Sequence, residues 1–104
     1  MTQISPQPNP FSATTLEGGG KIAVGTTAVA VNFTSQVKTI LISADKDNTG
    51  LLYVGNSTVT NTGANAITYL QAGDSISIDY DDVNGDIYVV ASAVSQNFWK
   101  GGIK

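Results

Sequence analysis

The carboxylates and the C-terminal aromatics carry most of the chemistry this sequence could offer. Asp45, Asp47, Thr49 and Gly50 follow the spacing D-x-D-x-x-G that opens a calcium loop, where alternate oxygens converge on one cation. The match then stops: the twelfth position, which needs a bidentate Glu, is Asn56, and no helical pattern flanks the loop. Asp and Asn also favour tight turns by bonding their own backbone, so the segment reads as a turn and no metal site is expected. Asp79, Asp81, Asp82 and Asp86 form a second acidic group. Paired carboxylates serve glycoside hydrolysis or cation binding, but a row of them at a strand end also keeps a sheet edge soluble, which is the simpler reading. Phe98 and Trp99 stand together in QNFWKGGIK. Aromatic side chains close cores, anchor interfaces or stack on sugars.

What is missing narrows the functions further. The 104 residues include no His, Cys or Arg. The commonest general base, the thiolate nucleophile and the guanidinium fork for phosphate are therefore absent, and no cofactor or catalytic residue is expected. Five Lys against eight acids give a net charge of −3, which argues against nucleic-acid binding. Apolar runs last only a few residues, too short for a membrane helix. Thr, Ser and Asn make up 29 residues, with ten Val, nine Ile and eleven Gly: strand and turn material.

The elements that must hold these side chains are strands. Apolar residues recur with period two over 21–25, 28–33, 38–44, 51–55, 66–70, 75–80, 86–93 and 96–100. Val29, Val31 and Phe33 share one face, as do Ile40, Ile42 and Ala44, and Ile87, Val89 and Ala91. Asn84–Gly85 has the composition of a two-residue hairpin turn between the last two long strands. No window has the helical period. One domain is expected, all-β, a small antiparallel sandwich or barrel of seven or eight short strands.

Residues 1–20 differ from the rest and read as an extended arm ahead of a β domain at 21–104. Pro6, Pro8 and Pro10 are the only prolines and alternate in SPQPNP, which favours extended backbone. Ile4 and Phe11 are its apolar anchors, and Gly18, Gly19 and Gly20 read as a flexible joint.

One longer pattern is more specific. Ile40–Asp45 leads into Asn48, Thr49 and Gly50, then Leu52, Tyr53, Val54 and Gly55; later come Leu70–Ser75 and Ile87–Ser92. This succession, over roughly residues 38–92, resembles small β-domain proteins encoded among the virion structural genes of tailed bacteriophages. The shared residues are turn and strand determinants and include no catalytic group. The resemblance implies a non-enzymatic virion structural protein. A capsid decoration (cement) protein is expected, which binds the major capsid protein and stabilises the head through its arm and sheet edges. Ile4, Pro6, Pro8, Pro10, Phe11, Phe98 and Trp99 are the expected subunit or capsid contacts. Self-association as a homo-oligomer, a trimer on three-fold shell positions, is expected with it. The opening MTQISPQPNP lacks the regions of a signal peptide, which suits a protein made in the host cytoplasm and carried in the virion. The alternative is a tail, fibre or baseplate accessory module that binds a host receptor or carbohydrate. In that case Tyr53, Tyr69, Tyr88 and Trp99 would form one exposed aromatic strip.

Overall fold

The computed structural model describes residues 15–79 and 87–104. They form eight strands: β1 (Leu16–Val24), β2 (Val29–Ala30), β3 (Thr39–Ala44), β4 (Leu52–Gly55), β5 (Ala66–Leu70), β6 (Ser75–Asp79), β7 (Tyr88–Ala91) and β8 (Gln96–Ile103). No helix occurs among the described residues. Two four-stranded sheets result, β1-β8-β3-β6 and β2-β7-β4-β5, and every pairing is antiparallel.

The pairing is nested. β1 pairs with β8, β2 with β7, β3 with β6 and β4 with β5. The chain is thus one long hairpin, its tip between β4 and β5, rolled so that its pairs fall alternately in the two sheets. Contacts of β3 with β8 and of β4 with β7 complete the two sheets. That is the double-sheet jelly roll. It makes the antiparallel sandwich read from the sequence the observed architecture.

The inner faces carry the residues that the alternation assigned to them. Val31, Phe33, Ile40, Ile42, Ala44, Leu52, Val54, Leu70, Val89, Ala91 and Phe98 are buried in one cluster, with Ile22, Val29, Ile76 and Ile78 packed at its margin. Phe98 is fully buried and is the largest side chain so placed. It fills the middle of the core, which corrects its expected role as an external contact: a side chain enclosed by its own domain offers a partner nothing.

One local expectation is also corrected. Gly18–Gly20 lie within β1, paired to Gly101 and Lys100 across a bulge, and do not form a joint. Glycine is favoured at two of these positions: a Cβ on Gly19 would collide with the Lys100 side chain, and Gly20 has φ +70°. The Asn84–Gly85 turn lies outside the described residues; the strands before and after it, β6 and β7, belong to different sheets. A tight reversal occurs at Gln71–Asp74, where Asp74 N donates to Gln71 O at 2.9 Å and Gly73 takes φ +86°.

At the open end of the sandwich, the chain between β2 and β3 folds in as a plug. Phe33 and Val37 press against Gly102 of β8. A Cβ there would lie 2.7 Å from Val37 Cγ1 and 3.0 Å from the Phe33 ring, whereas one on Gly101 would meet nothing nearer than the Glu17 carbonyl at 3.8 Å. Gly102→Ala should therefore cost about 1–3 kcal/mol by overpacking, and Gly101→Ala about 0.5 kcal/mol or less. Denaturant melts of the two variants check this; equal stabilities would refute the close approach.

Candidate functional site

The loop from Asp45 to Leu51 uses its polar atoms internally. Asn48 acts as a surrogate strand residue: its Nδ2 donates to Asn97 O at 2.8 Å and its Oδ1 accepts from Asn97 N at 2.9 Å. The Gln96 side chain, almost wholly buried, accepts from Thr49 N at 2.7 Å and Gly50 N at 2.9 Å. Its Nε2 donates to Val94 O and Thr49 Oγ1. Buried polar groups are stable only when satisfied in this way. The N-T-G stretch is thus the part of the turn that locks onto the start of β8.

Asp45 is also buried, and its two oxygens are engaged separately. Oδ1 accepts from Trp99 Nε1 at 3.1 Å, and Oδ2 from Asp47 N at 3.3 Å. The Trp99 hydrogen bond is the main cause that holds this carboxyl below its usual pKa, against the opposing effect of desolvation. Asp47 lies in the open, 3.3 Å from Lys46 Nζ. The two carboxylates bind different partners and do not converge. Among the described residues no group of three or more His, Cys, Asp or Glu side chains could hold a metal ion.

Of the second acidic group, Asp79 ends β6 and its Oδ1 accepts from Thr39 Oγ1 at 2.9 Å. Asp81, Asp82 and Asp86 lie outside the described residues, as do Ile4, Pro6, Pro8, Pro10 and Phe11.

The aromatics divide between the two outer faces. Trp99 follows inward-facing Phe98 in β8, so alternation turns it out on the β1-β8-β3-β6 sheet between Lys21 and Ser43. Its indole is 45% exposed, and Lys21 Nζ stands 5.9 Å from the ring centroid. Tyr53 and Tyr69 pair directly across β4 and β5 in the other sheet, where Tyr88 also lies, opposite Gly55. The single strip expected from Tyr53, Tyr69, Tyr88 and Trp99 therefore does not form, because the sandwich separates Trp99 from the tyrosines.

Around Trp99 the outer face mixes short side chains with exposed apolar ones. The row beside it runs Gly18, Gly101, Leu41 and Ser77; the next runs Leu16, Ile103, Thr39 and Asp79. Leu16 and Leu41 are exposed with Trp99, and Gly18, Gly101, Ser77 and Thr39 around them are small. This is an apolar platform of a kind that partners cover. The Asp45 hydrogen bond fixes the ring at its edge.

One cluster was not anticipated from the sequence. Glu17, at the start of β1, accepts from Thr34 N at 3.1 Å, Thr34 Oγ1 at 2.8 Å and Lys104 Nζ at 2.8 Å. Lys100 Nζ donates to Asn32 O at 2.6 Å and sits 5.3 Å from the centre of the Phe33 ring. These groups clamp the Phe33 plug over the end of the sandwich. Nothing local in the sequence marks them, since Glu17 and Lys104 lie at opposite ends of the β domain. A surface hollow of about 390 Å³ beside the β1–β2 link is lined by residues that include Val24, Val29, Ser95 and Gln96, with no carboxylate or amine among them.

The clamp has a pH signature. Hydrogen bonds from Lys104 and then Thr34 lower the Glu17 pKa from 4.5 to about 2. A depressed carboxyl pKa stabilises the fold fully above its unfolded value, and that contribution is lost as pH falls through the folded one. Thermal melts should show a stability loss between pH 4.5 and about 2 that is smaller in Glu17→Gln. Parallel curves for the two proteins across that window would show that the clamp contributes nothing.

Compared with protein-family models, with curated proteins and with solved structures, the chain matches none of them.

Proposed function

We propose that the protein is a non-enzymatic structural component of a tailed-bacteriophage virion, a capsid decoration protein that binds the outer shell and stabilises the head. The observation that carries this reading is the outer face of one sheet with Leu16, Leu41 and Trp99 exposed together. Its charged groups include Lys21 beside Trp99 and Asp79 at its margin, of opposite sign, and the Trp99 ring is oriented in advance by a buried carboxylate. A rigid aromatic anchor among small residues suits a protein surface, where little side-chain entropy is then lost on docking. The acidic side chains of the described residues support the reading from another side. Glu17, Asp45, Asp47, Asp74 and Asp79 each have a partner within the domain. The jelly roll itself occurs in capsid proteins and in lectins, so it admits the role without selecting it.

In this reading the major capsid protein covers the Trp99 face, and copies associate around shell symmetry positions as a homo-oligomer, a trimer at the three-fold positions. The tail, fibre or baseplate alternative loses its main support with the divided aromatics.

Leu41→Lys tests the proposal without disturbing the core, because Leu41 faces outward between Gly101 and Ser77. The variant should keep the β spectrum and melting temperature of the parent and lose at least about tenfold in affinity for undecorated capsids, about 1.4 kcal/mol. Decoration at parental occupancy would sink the reading. So would a parent protein that ignores capsids and binds host polysaccharide with a change in Trp99 fluorescence.

A further inference from the structure

We infer that residues 4–10 of one copy add as a strand to the free edge of β5 in a second copy. The inference rests on the reading of the protein as a self-associating virion component and names the surface that joins its copies.

The donor is written into the sequence of residues 4–10. In an extended chain, Ile4, Pro6, Pro8 and Pro10 fall on one face and Ser5, Gln7 and Asn9 on the other, the period-two pattern of a strand. The backbone alternates likewise. In an antiparallel ladder one residue directs both its N–H and its C=O to one side, and the next directs both to the other side. Ser5, Gln7 and Asn9 therefore present a full set of donors and acceptors to one neighbour. Pro6, Pro8 and Pro10 would point toward the opposite side, where their missing N–H groups leave nothing to donate. Such a segment can join one sheet edge and then ends the sheet, so it links copies without seeding a growing ribbon.

The acceptor side lies in the fold. β5 is an edge strand: among the described residues it pairs with β4 alone. Its outward side chains Ile67 and Tyr69 are 67% and 55% exposed, and Tyr53 stands beside Tyr69 on β4. An added strand would set its Ile4 and proline face against these side chains. Neither surface carries a charged side chain: residues 1–14 contain none, and neither does β5. The other edges are less suited. β2 is two residues long, β1 is bulged at its glycines, and β6 presents Ser75, Ser77 and Asp79 outward.

Geometry favours a second copy over the chain's own β5. Short links hold β1 beside β2 on one flank and β5 beside β6 on the other. From Thr15 on the first flank, the chain back to Asn9 spans about 20 Å at full extension. The opposite flank is about 14 Å away across three strand spacings and about 10 Å across the sheets, and the path must go around the domain. A neighbouring copy can place its β5 without that detour.

The test uses the purified full-length chain in solution without capsids, so its failure is distinct from failure of the capsid-binding reading. Sedimentation equilibrium of the parent should show concentration-dependent association. Gln7→Ala keeps the backbone donor and should associate like the parent. Gln7→Pro removes that donor and Ile67→Lys charges the receiving edge; each should raise the dissociation constant at least about tenfold with an unchanged β spectrum. A parent that stays monomeric, a Gln7→Pro variant that associates like the parent, or an Ile67→Lys variant that does so would each overturn the inference.

Discussion

The structure depends on one constraint, the alternation of β8 while it is hydrogen-bonded on both sides. Held between β1 and β3, this strand cannot slip without turning every side chain to the wrong face. Its inward positions run Gln96, Phe98, Lys100 and Gly102, and each does something different. Gln96 secures the Asp45–Leu51 loop, and Phe98 fills the core. Lys100 runs out beneath the plug to the Asn32 carbonyl, and Gly102 leaves space for Phe33 and Val37. Lys104, one residue beyond the strand, completes the clamp on Glu17. The same register that buries Phe98 must expose Trp99. The contact face is thus a consequence of how the core is built.

Polar chemistry in this protein is largely spent on closure. A jelly roll has two open ends, and its connections cross from sheet to sheet over them. At one end the loop is secured by amide groups, Asn48 on Asn97 and Gln96 on Thr49 and Gly50. At the other it is secured by charge, Glu17 with Lys104 and Lys100 with the plug. Such bonds add only modestly to stability when made, but cost more if a buried partner is left unpaired. That asymmetry explains why the residue types that first suggest metal or catalytic sites appear here as loop fasteners.

Much of this was legible in the sequence, and the limits were physical. Period-two alternation placed a segment in each of the eight strands and gave the inner faces at Val29–Phe33, Ile40–Ala44 and Ile87–Ala91, because a half-buried strand has to alternate; it missed the first half of β1, whose Leu16–Gly20 stretch lacks that pattern and read as arm. The Asp45–Gly50 segment was legible as a turn from its composition. What alternation could not supply was which strands pair. Asn84–Gly85 carries strong hairpin chemistry, yet the strands on either side go to different sheets. Gly18–Gly20 suggested mobility, whereas Gly19 leaves room for Lys100 from a strand far along the chain and Gly20 takes a positive φ at the bulge. Composition shows that an aromatic near the C-terminus can close the core but not which one; the strand register decides it, since neighbours in a strand face opposite ways, burying Phe98 and exposing Trp99. The Glu17–Lys104 clamp was invisible for the same reason as the pairing: its members meet only after the long hairpin has rolled up.

The central claim is that the Trp99 face is the surface by which this protein joins a virion. Electron cryo-microscopy of particles carrying the protein tests it most directly. The account expects density for the jelly roll on the outer shell, with Trp99, Leu41 and Leu16 turned toward the capsid. Density confined to the tail, or a domain seated on the shell with its Trp99 face toward solvent, would contradict it.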